Sequence, residues 1–136
     1  MTVTFDHSTV GEIILPSPTI SQPWEIDVNQ ILHLAVGGKR RAYTHGPAKY
    51  RIKKTFECLN ETLMKELLDW LSDIGWQAGV WDYIQVNPGV PGAQKKFTNV
   101  RMIGPPEIQR QMHNISDVTL NLERESPWTL ANAVDV

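Results

Sequence analysis

One stretch of the chain, NETLMKELLDWLSDIG at 60–75, repeats its apolar residues at helical spacing, and it stands between segments that do not. Leu63, Leu67, Trp70, Leu71 and Ile74 fall on one stripe, widened by Met64 and Leu68, while Lys65, Glu66, Asp69, Ser72 and Asp73 take the other side. Asn60 is placed to cap the N-terminus, Glu61 lies in the first turn, and Gly75 sits where a C-terminal glycine belongs. The spacing predicts a helix over Asn60–Ile74 with Leu67 and Leu71 buried.

The remainder reads with period two. In YRIKKTFECL, Tyr50, Ile52, Phe56 and Cys58 point one way and Arg51, Lys53, Thr55 and Glu57 the other, with Lys54 interrupting the apolar face near its rim. Such alternation marks an antiparallel strand with one wetted side. GVWDYIQV, FTNVRMI and SDVTLNLERE read as further strands, the last with Val118, Leu120 and Leu122 on one face. QILHLAV and KRRAY flank Gly37-Gly38, a hairpin signal. NPGVPGAQKK, rich in Pro and Gly, predicts an exposed loop over 87–96. Pro16, Pro18 and Pro23 each remove an amide donor and argue against helix in the first 30 residues. These predict an arm or edge strand reaching a neighbouring subunit, with Trp24 as its anchor. The sum is six to eight short strands and one helix in a single α+β domain: a mainly antiparallel β-sandwich or split barrel with one flanking amphipathic helix. Its parts are a Pro-rich arm at 1–30, a β-rich domain at 31–125 and a tail at 126–136 without clear period.

Catalytic and cofactor signatures are missing from the pattern. No phosphate-binding glycine loop occurs, and one cysteine, Cys58, excludes an internal disulfide and a thiolate zinc site. His7, His33, His45 and His113 stand alone, and no serine lies in a nucleophile-elbow pattern. The expectation is a protein without enzymatic activity, cofactor or metal. No apolar run approaches the roughly 18 residues of a membrane span, so a chain made in the cytoplasm without membrane association is expected. Trp70, Trp76 and Trp81 read as core filling where helix meets sheet, whereas Trp24 and Trp128 lie in irregular ends.

Charge is segregated. Residues 39–54 hold seven of the thirteen Lys and Arg and no acid; the remainder carries six bases against fifteen acids. A basic stretch with Tyr43 and Tyr50 fits a small nucleic-acid-binding domain. The acidic balance of the whole chain, the absence of an RRM, KH or helix-turn-helix signature and the inward parity of Tyr50 weigh against that; beside simple solvated charge, the pattern fits a subunit that binds its own copies, positive face to negative face, in a heterologous ring. On that second reading Lys39, Arg40, Arg41, Arg51 and Lys53 form one side of the contact, and Glu66, Asp69 and Asp73 on the helix form the other.

From residue 31 to 125 the order of parts resembles the tail-tip proteins of long-tailed bacteriophages. These are the lambda-like minor tail protein M and the N-terminal domain of distal tail proteins. LAVGGKRRAYTHGPAKY leads into the strand RIKKTFECL, then the helix TLMKELLDWLSDIGWQAGVWDY, then FTNVRMI and the closing DVTLNLERE. The resemblance implies a tail-tube-like fold in a hexameric ring joining the tail tube to the hub, with DNA only as passing cargo in the lumen. It implies a virion component; tail terminators, head–tail joining proteins and the tube protein share the architecture.

Overall fold

The computed structural model describes residues 2–18, 24–27, 30–34, 38, 40–44, 48–86 and 92–136. The helix forms as its spacing predicts: α1 spans Glu61–Asp73, and the Asn60 side chain accepts from the Leu63 amide at 2.8 Å. Leu67, Trp70 and Leu71 are buried. Gly75, at φ 87°, turns the chain out of α1 into a 3-10 turn at Trp76–Ala78. Gly79 follows with its α-carbon so near α1 that a β-carbon would lie 2.4 Å from the Ile74 carbonyl oxygen. Trp76 departs from expectation. It is exposed rather than core, because its own left-handed conformation (φ 54°) carries it round the outside of the turn.

Around α1 lie eleven strands among the described residues, more than the sequence pattern predicts. They are β1 (Thr2–His7), β2 (Gly11–Pro16), β3 (Trp24–Asp27), β4 (Gln30–Leu34), β5 (Arg40–Thr44), β6 (Lys49–Asn60), β7 (Trp81–Val86), β8 (Gln94–Met102), β9 (Glu107–Met112), β10 (Ile115–Arg124) and β11 (Val134–Asp135). Every pairing is antiparallel. One hydrogen-bonded path runs β2-β1-β7-β8-β10-β6-β3, with β11 added to β8 and β9 to β10; β4 and β5 make a separate two-stranded sheet. The sheet does not close. It is an open antiparallel α+β arrangement flanked by one helix.

β8 is the corner that turns this path into two layers. Its first part pairs β7 and β11, its last two residues pair β10. Between Trp81↔Val100 and Tyr83↔Phe97, β8 takes three steps to β7's two, and Asn99 carries the extra residue at φ 56°. Such a bulge bends a strand and raises its twist, which re-aims the end of β8 toward β10. The layers meet in one core, where Phe5 of β1 stands edge-on to Phe56 of β6 at 5.7 Å.

The first thirty residues correct the expectation of an arm. β1 and β2 form a hairpin hydrogen-bonded through β1 to β7, and Val3, Phe5, Ile13 and Leu15 are buried in the domain's own core. The hairpin turn is held by His7, whose Nδ1 accepts from the Thr9 and Val10 amides, both at 3.1 Å. The prolines read as evidence for an outlying segment follow this hairpin or, like Pro16, end it. β3 pairs its own β6, with Trp24 opposite Ile52; residues 19–23, 28–29 and Lys39 lie outside the described residues.

β6 carries a second correction. Cys58 is exposed, not core, and Leu59 is buried in its place. β6 spends three steps from Phe56 to Leu59 where β10 spends two, and Cys58 is the bulged residue at φ 58°. Asp117 on β10 holds this irregularity: its Oδ1 accepts from the Cys58 amide at 3.0 Å and its Oδ2 from Gln111 Nε2 at 2.8 Å. One carboxylate thus ties the bulge of β6 to β9 on the opposite flank. The segment 87–96 is loop only in part, for β8 begins at Gln94, and 87–91 lie outside the described residues. The tail is also structured: Trp128 is buried and its Nε1 donates to the Tyr50 carbonyl at 2.8 Å, while β11 pairs β8 and Lys95 bonds Asp135 at 2.6 Å.

Candidate assembly surfaces

The outward face of β6 does not present bare positive charge. Arg51 Nε donates to Glu123 of β10 at 2.9 Å, and Lys49 Nζ pairs with Glu125 at 2.7 Å, holding that carboxyl below its usual range. Glu25 of β3 lies opposite Arg51 on the other side. Lys53 is exposed, opposite Asn121, and Thr55 and Thr119 hydroxyls meet at 3.0 Å in the same row. Cross-strand partners thus compensate part of the charge that the linear pattern assigns to one free patch.

Arg40 and Arg41 are placed elsewhere, on the hairpin of β4 and β5, where Leu34 pairs Arg40 and His33 pairs Arg41. The sequence signal for this hairpin is borne out, with Gly38 at φ 85° in its turn. Among the described residues the pair shares no ladder with the larger sheet.

The helix acids lie exposed on α1, and Glu12 joins them. Glu66, Asp69 and Asp73 recur on the exposed side of α1, and with Glu12 from β2 they surround a groove floored by Ile13 and Trp70. Trp70 Nε1 donates to the Gly11 carbonyl at 3.1 Å, fixing helix to hairpin. None of the four acids forms an ion pair among the described residues, so the groove stands as a negative surface. Glu12 escapes sequence reasoning because only the β1–β2 hairpin, read from sequence as an arm, carries it to the helix.

Two further cations face inward. On β10, Arg124 follows Val118, Leu120 and Leu122 in alternation and is buried, its guanidinium 5.2 Å from the Phe97 ring and 5.6 Å from Trp128. Lys54 lies half-buried with Nζ 5.6 Å from the Tyr83 ring. Burial lowers both cations' affinity for their protons and raises that of the Tyr83 phenol. Neither cation has a carboxylate partner among the described residues.

Four edge strands of the larger sheet complete the surface. β2, β3, β9 and β11 each pair with a single neighbour among the described residues. Each exposes an apolar side chain: Ile14, Ile26, Ile108 with Met112, and Val134. No group of three or more metal-ligating side chains occurs among the described residues, and no described helix is long and apolar enough to cross a membrane.

No protein-family model matches the chain, and no curated protein matches it. Among solved structures, it is similar to a chain of the sheath–tube complex, in its extended state, of PVC, an extracellular contractile injection system. The TM-score is 0.44 at 14% identity, covering 89% of this chain and 82% of that one. A likeness at that level leaves the functional reading to the surfaces described above.

Proposed function

We propose that the chain is a structural protein of a bacteriophage tail, assembling with its own copies into a ring. The observation that carries this is the set of four edge strands of the larger sheet, each with a single paired neighbour among the described residues and an exposed apolar residue. Charge and proline on these strands (Glu12 and Pro16 on β2, Glu25 on β3, Glu107 and Arg110 on β9, Asp135 on β11) oppose indiscriminate edge pairing, so a neighbour that adds to them must be complementary in charge. Segregated charge adds direction. A basic hairpin at Arg40–Arg41 and an acidic groove at Glu12, Glu66, Asp69 and Asp73 lie on different elements, and a head-to-tail contact between them closes a ring. Complementary charge of this kind sets register and encounter rate more than affinity.

In its finer form the reading is a hexamer at the distal end of the tail. It joins tube to hub, is incorporated into the virion after synthesis in the host cytoplasm, and passes DNA through the lumen without catalysing any reaction. The terminator and head–tail joining roles use the same ring. A nucleic-acid-binding role is disfavoured by the acids Glu123 and Glu125, which already hold Arg51 and Lys49.

Electron microscopy of the purified protein with and without Arg40→Glu/Arg41→Glu tests the reading. Rings from the wild type and dispersed folded monomers from the variant are expected. A variant that forms the same rings removes the basic hairpin from the contact. Steep loss of DNA binding between low and moderate salt, abolished by the same substitutions, would replace the ring by a phosphate-binding surface.

A further inference from the structure

The fork where β8 leaves β10 for β7 holds an unsatisfied cation. Arg101 of β8 still pairs Glu123 of β10 in register, but at Val100 of β8 and Arg124 of β10 the strands have separated. A pocket opens in the gap, lined by Lys49, Asn99, Arg101, Arg124 and Glu125 among others. Arg124 is 4% exposed. Its guanidinium packs on the Phe97 and Trp128 rings and its Nη2 donates to the Asn132 carbonyl at 3.4 Å, while its Nε and Nη1 have no hydrogen-bond partner among the described residues. The two carboxylates of the pocket wall are occupied, Glu123 by Arg51 and Glu125 by Lys49. The site therefore contains a buried guanidinium with donors to spare, beside the exposed Arg101, and among the described residues no acid of the pocket wall is free to answer them. Buried donors left without a partner are costly, and an unpaired buried charge more so.

We propose that this pocket receives a carboxylate from the acidic helix groove of a second copy of the chain, with Arg124 as the receiving cation. The inference rests on the ring reading above and names the fixed point of its positive side. Charge complementarity fits the occupant: Glu66, Asp69 and Asp73 line one groove with Glu12, exposed and with no ion pair among the described residues. The wall residue able to yield on docking is Glu125, exposed and held by Lys49.

The test compares wild type, Arg124→Met and Arg101→Glu by analytical ultracentrifugation across a concentration series, with thermal melts of each. Methionine preserves the packing on Phe97 and Trp128 and removes the buried charge. Arg124→Met is expected to melt no lower than wild type, yet to need a concentration about tenfold higher or more to assemble. Arg101→Glu, a surface change, is expected to keep the fold and lose assembly in the same way, and it decides the matter should Arg124→Met fail to fold. Assembly of either folded variant at wild-type concentrations overturns the proposal while leaving the ring intact. A wild type that stays monomeric overturns the ring reading and this one with it. Inorganic phosphate that stabilises wild type but not Arg124→Met, with assembly of the variant unchanged, would make the pocket a small-anion site and also overturn it.

Discussion

The molecule contains two hairpins of similar size with opposite relations to the domain. The β1–β2 hairpin joins the large sheet through β7, buries Val3, Phe5, Ile13 and Leu15, and is pinned to α1 through Trp70. The β4–β5 hairpin makes a sheet of two strands on its own. A two-stranded sheet is marginal in water by itself, since its ladder hydrogen bonds compete with solvent, and no third strand joins this ladder among the described residues. The first hairpin is part of the core despite its proline-rich neighbourhood; the second carries Arg40 and Arg41 and shares no ladder with the larger sheet among the described residues.

That contrast is broken most directly by deletion. Removing residues 1–16 is expected to unfold the domain, whereas replacing 30–44 by a short Gly-Ser linker leaves it folded and unable to assemble; circular dichroism and ultracentrifugation of both read the result. A folded 1–16 deletion would return the first hairpin to the status of an arm. Within the core, Phe5→Ala is expected to cost about 3–5 kcal/mol and Leu67→Ala about 2–5 kcal/mol in denaturant melts, since both side chains are fully buried. A loss of a few tenths at Leu67 would mean that α1 does not rest on the sheet. Asp117→Ala removes the carboxylate shared by Cys58 and Gln111 and is expected to cost about 1–2 kcal/mol. Asn60→Ala, losing the cap on α1, is expected to cost about 1 kcal/mol.

The smallest effect concerns Lys54. Burial sets its folded pKa below the unfolded value, so the protonated side chain opposes folding at neutral pH. That cost is present in full below the folded pKa and is relieved as pH rises toward the unfolded value. Lys54→Met is therefore expected to leave stability unchanged or raised at neutral pH and to flatten its rise toward alkaline pH. A variant less stable than wild type would show that the contact with the Tyr83 ring outweighs the desolvation.

Local signals carried α1 into view: its period, its Asn60 cap and Gly75 are all within one segment. The acids Glu66, Asp69 and Asp73 were legible for the same reason. Cys58 was not, because its bulge is set by Asp117, nearly sixty residues away. β9 was hidden since all six of its residues are exposed and give no alternation. The inward turn of Arg124 was legible in principle, for it shares the parity of Val118, Leu120 and Leu122. Its lack of a partner was not, since that depends on the strand fork at Asn99 and on Trp128 folding back from the tail.

The central claim is that this domain is built to meet its own copies through the hairpin it does not need for folding. Native mass of the purified chain at low salt, beside the Arg40→Glu/Arg41→Glu variant, tests it most directly. The account predicts a closed assembly of six 15.4 kDa copies for the wild type and a folded monomer for the variant. A wild type that remains monomeric at every concentration reached, or a variant of the same assembled mass, would contradict it.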